Sequence, residues 1–322
     1  MRIIYIAKHE AVGNEDEFAV AYALRELGHE VVEIQEDTVS GMRGTRVKGD
    51  EVSADLLLFH KWSDTAVMDR FKMRKVFWYF DLVDYPKDPS LLFRNNRRKR
   101  WMNEVLPHVD LGFCTDGEWV ERAYTSGGAT WENYKKLVWL PQGFDSRLVQ
   151  YYRNDQNLYR DSPGEYQRGY PILFTGIGRL GGKERASFVT EMQGRYGDKF
   201  QHVESGLHGK NLSDAVCRSQ IIVAPDSPIS SKYWSNRVYL TLGLGGFLLH
   251  PYCENLSKDY LHGEDLVYYG NRDQLHQMIG EYLRIPEECS WIADSGRRKT
   301  LQHHTYTHRC ARLLEIVKER LS

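Results

Sequence analysis

The chain has 322 residues, of which 41% are hydrophobic and 27% charged, and this length and composition favour a globular protein with two domains. The formal net charge of −1 at pH 7 excludes a strong overall attraction to nucleic acid or to anionic membranes, and leaves open only a local basic patch. The five cysteines have no CxxC spacing, which favours free thiols in a reducing compartment over a disulfide framework or a zinc site.

The first half of the chain alternates between predicted strands and helices. Residues 2–7, RIIYIA, form a β-branched apolar run of strand length. The run is too short for a signal peptide or a membrane span, so a cytoplasmic protein is expected. Residues 15–27 have apolar side chains at helical spacing, and Gly28 stands at the position of a helix C-cap. Further strands are predicted at 31–34, 55–60, 75–80, 110–114 and 137–141, and helices near 64–72, 90–106 and 117–126.

This β-α-β alternation predicts an N-terminal Rossmann-like domain with a parallel sheet over residues 1–150. A linker is placed at 151–168, because the chain there is polar and has no clean periodicity. A second Rossmann-like domain is predicted at 169–304, followed by a C-terminal helix, 305–322, that packs across both domains. Its predicted strands lie at 171–178 (ending in a glycine turn), 199–204, 220–225, 247–252 and 265–270, and its helices at 187–197, 212–219, 235–245, 272–284, 286–298 and 305–321.

Two glycine-containing segments of the second half stand beside basic residues. In FTGIGRLGGKERASF, 174–188, a strand ends, a glycine turn follows and a helix begins, with Arg179 and Lys183 in the same segment. Backbone N–H groups at such a turn attract anions, and basic side chains beside them suit a diphosphate. In SNRVYLTLGLGGFLLHPY, 235–252, Arg237 precedes glycines that would let the backbone approach a ligand at the carboxyl edge of the sheet. Each segment alone is also typical of a solvated turn or of a structural ion pair with close packing.

The order of these motifs resembles the C-terminal half of GT-B glycosyltransferases of the spore-maturation type, which is grouped as glycosyl-transferase-1-like. The segments that carry the resemblance are GIGR…K, IIVAPDSPISSKYWSNRVYLTLGLGGFLLHPY, DLVYYGNRDQL and HHTYTHRCARLL. FWYFDLVDYP and WLPQGFD extend it more loosely into the first half, so that it covers most of residues 75–320. The resemblance implies a GT-B fold, in which two doubly wound α/β domains face each other across a cleft.

The resemblance also implies that the C-terminal domain binds a nucleotide-diphosphate sugar, expected to be a UDP-sugar, as a substrate and without a further cofactor. The implied donor-binding residues are Gly176, Arg179, Lys183, Tyr233, Ser235, Arg237, Gly245 and Gly246. Leu240 stands where the family usually has a glutamate that holds the ribose hydroxyls, and Lys232 stands at the earlier glutamate position. Glu254 is a candidate substitute for this ribose clamp. Otherwise the donor is unusual or the activity is lost.

Polar residues that follow strands of the first half are candidates for the base that activates an acceptor hydroxyl. Asp81 and Asp84 follow the strand at 75–80, and His60 ends the preceding strand. A polar residue at the end of a strand is also a common turn or helix cap. The segment Asp81-Leu82-Val83-Asp84 lacks the Asp-x-Asp spacing of a loop that holds a divalent ion, which favours transfer without a metal.

A basic run, RNNRRKR at 94–100, is the remaining feature of interest. Arg94, Arg97, Arg98, Lys99 and Arg100 are candidate contacts for nucleic-acid phosphates, as in an enzyme that glycosylates a modified DNA base. A solvated helix face is the alternative that the near-neutral total charge favours. Three functions therefore remain open: a glycosyltransferase acting on DNA, a glycan or a small molecule; a sugar-nucleotide epimerase with the same architecture; and an inactive protein that binds a sugar nucleotide.

Overall fold

The structure, a computed structural model, describes residues 1–9, 15–36, 53–84, 92–125, 131–151, 170–176, 182–204, 207–225 and 230–321. These residues belong to two compact units. The N-terminal unit consists of Met1–Gln142 and Tyr306–Ser322, and the C-terminal unit consists of Gly143–Thr305. Among the described residues, no helix combines the length and the apolar character needed to cross a membrane.

The N-terminal unit contains a parallel sheet of six strands in the order β2-β1-β3-β4-β5-β6. The strands are β1 (Arg2–Ala7), β2 (Glu30–Gln35), β3 (Leu56–Phe59), β4 (Arg74–Tyr79), β5 (Leu111–Cys114) and β6 (Leu137–Trp139). The described helices are α1 (Glu15–Glu26), α2 (Thr65–Met68), α3 (Leu92–Val105), α4 (Gly117–Thr125), α5 (Trp131–Tyr134) and, from the end of the chain, α12 (Tyr306–Leu321). A 3₁₀ turn, Leu106–His108, follows α3.

Apolar side chains cover both faces of this sheet, which is why its strands are almost continuously hydrophobic. Successive residues of a strand point to opposite faces. On one face, Tyr5 of β1 shares a core with Leu24 of α1 and Leu313 of α12. On the other face, Ile6 shares a core with Met102 of α3. The C-terminal helix of the chain therefore completes the core of the N-terminal unit.

The C-terminal unit contains a parallel sheet of five strands in the order β11-β10-β9-β7-β8. The strands are β7 (Ile172–Thr175), β8 (Phe200–Val203), β9 (Ile221–Val223), β10 (Leu248–Pro251) and β11 (Val267–Tyr269). The described helices are α6 (Gly182–Tyr196), α7 (Gly209–Cys217), α8 (Arg237–Gly243), α9 (Leu256–Asp259), α10 (Arg272–Tyr282) and α11 (Pro286–His303). Two 3₁₀ turns lie at Ser146–Tyr151 and Gly197–Lys199.

The two sheets share one strand order. Read from β8, the order β8-β7-β9-β10-β11 repeats the order β2-β1-β3-β4-β5 of the first sheet. In each sheet the chain first moves outward by one strand and then crosses to the other side of its first strand. This creates a topological switch point between β1 and β3, and another between β7 and β9. Open α/β sheets bind ligands outside the carboxyl ends of the strands at such points.

The expected α/β architecture with two Rossmann-like sheets is confirmed, and most predicted elements agree with the observed ones to within a few residues. Gly28 ends α1 with a φ of +82°, as expected for a C-cap glycine. The largest differences are in α6, which begins at Gly182 instead of 187, and in α11, which continues to His303 instead of ending at 298. Gly296 lies inside this helix and allows a close approach, because a Cβ there would be 2.2 Å from the carbonyl oxygen of Asp265. All five cysteines are free thiols.

Candidate functional site

The switch point of the C-terminal unit brings together the two basic glycine-containing segments. β7 ends at Thr175 and continues into Gly176, while the segment that follows β9 leads to Arg237, the first residue of α8. The Nε atom of Arg237 donates a hydrogen bond to the carbonyl oxygen of Thr175 at 2.5 Å. The guanidinium carbon lies 5.1 Å from the centre of the Phe174 ring. A positive charge is therefore placed where the fold binds ligands.

Gly176 is required by this arrangement for two reasons. Its φ of +135° is one that residues with a Cβ rarely adopt. A Cβ would also lie 2.3 Å from Nη2 of Arg237. The turn is held from the neighbouring strand as well, since the Gly176 amide donates to Val203 O at 2.9 Å. His202 Nε2 donates to the carbonyl oxygen of Gly176 at 2.7 Å, while its ring stacks on Phe174 at 5.0 Å.

Two other predicted donor residues lie in the segment that leads into Arg237. Ser235 Oγ accepts a hydrogen bond from Nη1 of Arg237 at 3.2 Å. Tyr233 forms an isolated β-bridge with Ser230 and is half-buried. The structure thus brings Gly176, Ser235 and Arg237 together and places Tyr233 two residues away from Ser235. Arg179 and the side chain of Lys183 lie outside the described residues.

The structure corrects the expectation for Gly245 and Gly246. The helix of a β-α-β unit runs from the carboxyl edge of the sheet back to its amino edge, so the turn between α8 and β10 lies at the amino edge. A Cβ on Gly246 would lie 2.5 Å from Cδ1 of Ile222, and Gly245 has a φ of +76°. These glycines serve a tight turn and close packing, and they stand at the edge opposite Arg237.

The predicted ribose clamp, Glu254, follows β10 at the carboxyl edge. Its side chain is 63% exposed and pairs with Lys258 at 3.8 Å. The segment is attached to Ser231, whose carbonyl oxygen accepts hydrogen bonds from the Asn255 amide at 3.1 Å and the Asn255 side chain at 2.9 Å. Leu240, at the usual glutamate position, is a half-buried residue of α8. Glu254 as a ribose clamp stays a prediction.

His60, at the switch point of the N-terminal unit, is part of the core, which corrects its expected role as a base. Its side chain is fully buried. Nδ1 donates to the carbonyl oxygen of Trp78 at 2.6 Å, and Nε2 accepts from the hydroxyl of Tyr5. Burial lowers the pKa of His60 to about 3. The imidazole is therefore neutral at physiological pH, and protein groups occupy both of its nitrogens.

Asp81 lies just beyond β4 and is paired with two cations. Lys61 Nζ is 2.8 Å from its carboxylate, and Arg98 Nη2 is 3.1 Å away. Burial on its own raises the pKa of Asp81, but the charges of Lys61 and Arg98 outweigh burial and hold the pKa below its ordinary value. A carboxylate of this kind is ionised at neutral pH but has a low affinity for a proton.

The segment from Asp81 to Asp84 is positioned by Lys99 of the basic run and by two residues that the sequence analysis did not identify, Arg122 and Asp116. Asp84 pairs with Lys99 at 3.3 Å and Arg122 at 3.9 Å. The carboxylate of Asp116 accepts hydrogen bonds from the amides of Val83 and Asp84 at 2.9 and 3.2 Å, and from the Trp119 amide. Burial raises the pKa of Asp116 to about 6, against the lowering effect of these bonds. Asp116 stands two residues after the end of β5 and directly before Gly117, the first residue of α4. An aspartate at this position is a helix-cap signal that could have identified it.

The basic run at 94–100 does not present one continuous cationic surface. Arg98 is buried, donates to the carbonyl oxygen of Leu82 and pairs with Asp81, so it is unavailable to phosphates. Lys99 pairs with Asp84, and Arg94 is half-buried. Arg97 and Arg100 are exposed.

Among the described residues, no cluster of three or more histidine, cysteine, aspartate or glutamate side chains is arranged to hold a metal ion.

Comparison with known proteins gives a family match for the part of the chain that contains this site. Residues 173–315 match the family described as glycosyl transferase-like, and Arg237 lies within the match. Sucrose-phosphate synthase from Thermosynechococcus elongatus superimposes on 99% of this chain and 98% of its own, with a TM-score of 0.67 at 14% identity. The chain therefore has the GT-B fold, and its residues 173–315 are similar to the glycosyl transferase-like family.

Two other solved structures share the fold of this chain. An α-glucosyltransferase in complex with UDP and a 13-mer DNA that contains an A:G mismatch covers 99% of this chain and 100% of its own, with a TM-score of 0.64 and 12% identity. Anabaena HepE in complex with UDP-glucose matches over the same shares, with a TM-score of 0.60 and 10% identity. At such identities the likeness establishes the fold alone. A search of curated protein sequences finds no match.

Proposed function

We propose that the protein transfers a sugar from a UDP-sugar to an acceptor hydroxyl, with the donor bound by the C-terminal unit and without a bound metal. The observation that carries the proposal is Arg237 hydrogen-bonded to Thr175 O beside Gly176, at the switch point of a glycosyl transferase-like domain. Structures with this fold have been solved with UDP or UDP-glucose, which supports uridine diphosphate as the leaving group.

The proposed chemistry needs positive charge near the leaving diphosphate. As the bond between the sugar and the β-phosphate breaks, negative charge grows on a phosphate oxygen, and a cation already in place stabilises that charge. Thr175 O and Ser235 Oγ fix the orientation of the Arg237 guanidinium, so little reorganisation is needed. A planar guanidinium matches phosphate oxygens in geometry as well as in charge. Arg179 and Lys183 remain candidates for the same role.

The acceptor is assigned to the N-terminal unit. Asp81 is the preferred candidate base, because it is ionised and its side chain is 34% exposed. The side chain of Asp84, the other carboxylate candidate, is only 17% exposed and pairs with Lys99 and Arg122, and His60 is enclosed. The pairs with Lys61 and Arg98 lower its basicity, so an acceptor that displaced Lys61 would make Asp81 a better proton acceptor. DNA, a glycan or a small molecule are the acceptor classes considered, and one structure with this fold contains DNA.

The proposal is tested by measuring UDP release over a panel of sugar nucleotides. Wild-type protein is expected to bind a UDP-sugar and to release UDP faster when an acceptor is present. Arg237→Ala is expected to weaken UDP binding at least 100-fold, measured by calorimetry, without a change in thermal unfolding. Arg218→Ala is the matched control, since Arg218 is exposed and follows α7 at the opposite edge of the sheet.

The other outcomes separate the alternatives. Interconversion of two sugar nucleotides without an acceptor would indicate an epimerase. Tight binding without turnover would indicate an inactive binding protein. Equal UDP affinity for Arg237→Ala, Arg218→Ala and the wild type would show that the switch point of the C-terminal unit is not the donor site.

A further inference from the structure

The exposed side of α3 combines one aromatic side chain with two arginines. Phe93, Arg97 and Arg100, here called the basic face of α3, are spaced i, i+4 and i+7 and therefore lie on one side of the helix. Phe93 is 82% exposed, and Arg97 and Arg100 are exposed too. Neither arginine forms an ion pair with a residue in the part of the chain that the structure describes. Phe93 is the most exposed of the large hydrophobic side chains that the structure describes, and it stands on the same side of the helix as two arginines.

The opposite side of α3 packs against the rest of the unit, which explains why the basic face of α3 is exposed. Asn95, Arg98 and Met102 are buried at i, i+3 and i+7, and Arg98 neutralises Asp81 through its ion pair. The charge of Asp81 is thus already compensated by Arg98, and by Lys61 as well. Arg98 and Lys99 form the ion pairs between this helix and the segment after β4, and Arg97 and Arg100 are additional positive charges.

The position of the helix connects this face with the acceptor side. α3 follows β4 and precedes β5, so it begins near the carboxyl edge of the sheet, where Asp81 lies. Phe93 is at that end, and Arg100 is seven residues, or about 10 Å, further along the helix axis. A molecule bound to the basic face at Phe93 would be held at the same edge of the N-terminal unit as Asp81.

We propose that the basic face of α3 binds the acceptor and that the acceptor is a nucleic acid, in which a modified base carries the hydroxyl that receives the sugar as UDP leaves. Phosphates contact Arg97 and Arg100, and an unpaired base stacks on Phe93. This inference rests on the proposed function, because it names the acceptor class of that reaction. Arginines near an exposed ring are the combination with which proteins hold single strands, since the charges follow the backbone and every base has a face for stacking.

An anionic membrane surface explains the face less well. A helix that lies on a membrane presents several apolar residues on one side. On α3 the other exposed residues are Asn96, Asn103 and Glu104, so Phe93 is the one apolar residue exposed among the described side chains of the helix. A single strand needs no more than one ring for a base, together with the two charges.

The test measures binding of the full chain to a fluorescent 16-nucleotide DNA, single-stranded or as a duplex, by anisotropy between 50 and 200 mM salt. The single strand is expected to bind more tightly, because its bases are already unpaired. Arg97→Ala/Arg100→Ala should lower the magnitude of the slope of log affinity against log salt by about 1.4, at about 0.7 per phosphate contact. The matched control, Arg70→Ala/Arg74→Ala, removes two exposed arginines elsewhere on the same unit and should leave the slope unchanged.

Phe93 is tested separately, because stacking carries no charge. Phe93→Ala is expected to weaken binding of the single strand about 10-fold or more while leaving the salt slope as it is, and Phe93→Tyr should retain the affinity. Equal losses in the two arginine pairs, or binding to anionic lipid vesicles but not to DNA, would overturn the inference. Wild-type protein that binds UDP but neither form of DNA would overturn it while leaving the proposed function intact, whereas absence of UDP binding would refute the proposed function itself.

Discussion

His60 in the N-terminal unit and Arg237 in the C-terminal unit stand at equivalent points of two sheets that share one strand order. His60 is enclosed and neutral, and its two nitrogens bond to Trp78 O and the Tyr5 hydroxyl. Arg237 is half-buried and charged, and it borders a glycine whose missing side chain leaves room for it. The topology therefore sets where a ligand can bind, and the side chains at that place decide whether an anion is attracted there.

The largest effect on UDP affinity is expected from a substitution that fills the space beside Arg237 with a side chain. Gly176→Ala imposes an unfavourable backbone conformation and puts a Cβ 2.3 Å from Nη2 of Arg237, so the guanidinium must move. We expect at least a 100-fold loss of UDP affinity, measured by calorimetry. Gly194→Ala is the control, because a Cβ on this residue of α6 meets nothing within 4 Å and alanine suits a helix. If both variants bind UDP like the wild type, Arg237 does not act through its present position.

The burial of His60 in the N-terminal unit predicts that the stability of the protein depends on pH. Its pKa of about 3 in the folded protein is below the value near 6.5 of an unfolded chain. Between these values the unfolded state binds a proton and the folded state does not, so this contribution to stability is lost as the pH falls. Compared with His60→Gln, the wild type should lose about 3 kcal/mol more unfolding free energy between pH 7 and pH 4.5.

Urea unfolding of both proteins at the two pH values measures this difference. If the unfolding free energy changes equally with pH in the wild type and in His60→Gln, His60 is not a buried neutral imidazole. That result would weaken the contrast between the two switch points.

A smaller effect is expected at His202, which holds the turn at Gly176 in place. No contact between His202 and the sugar nucleotide is proposed. His202→Ala removes the hydrogen bond to Gly176 O and should raise the Kd for UDP about three- to tenfold, in line with the loss of one hydrogen bond. His202→Gln keeps a side-chain N–H and should recover most of the affinity. A purely structural role would lower the thermal stability of both variants without this recovery of binding.

The smallest effect is expected from a chelator. If Arg237, Arg179 and Lys183 supply the charge that a divalent ion would otherwise supply, UDP release with acceptor should be unchanged by excess EDTA. Loss of turnover that added magnesium restores would contradict transfer without a metal. Retained UDP binding under the same conditions would show that the loss concerns turnover and not the fold.

The hydrophobic periodicity of the sequence was sufficient to predict most strands and helices, because apolar runs such as RIIYIA and LVWL directly indicate strand length and burial. A glycine after a strand and an arginine at the start of an apolar helix are local signals that predicted Gly176 and Arg237, and the structure brings these two residues together. Their role in donor binding stays a prediction. The sequence-based prediction was wrong about Gly245 and Gly246, because the edge at which a glycine turn lies depends on the direction of the whole β-α-β unit. The sequence likewise had no local signal for His202, a strand residue whose partner is a carbonyl oxygen 26 positions away.

By itself, the sequence determined the two Rossmann-like sheets and their approximate strand boundaries, because strands and helices follow from local hydrophobic patterns. It also determined the resemblance to GT-B glycosyltransferases, which depends on the order of motifs along the chain. Only the tertiary structure decided which charges remain for ligands. Arg98 and Arg97 are neighbours in one basic run, yet the first is buried against Asp81 and the second is exposed. The physical reason is that the free energy of a charge depends on its burial and on its ionic partners, which are distant in sequence.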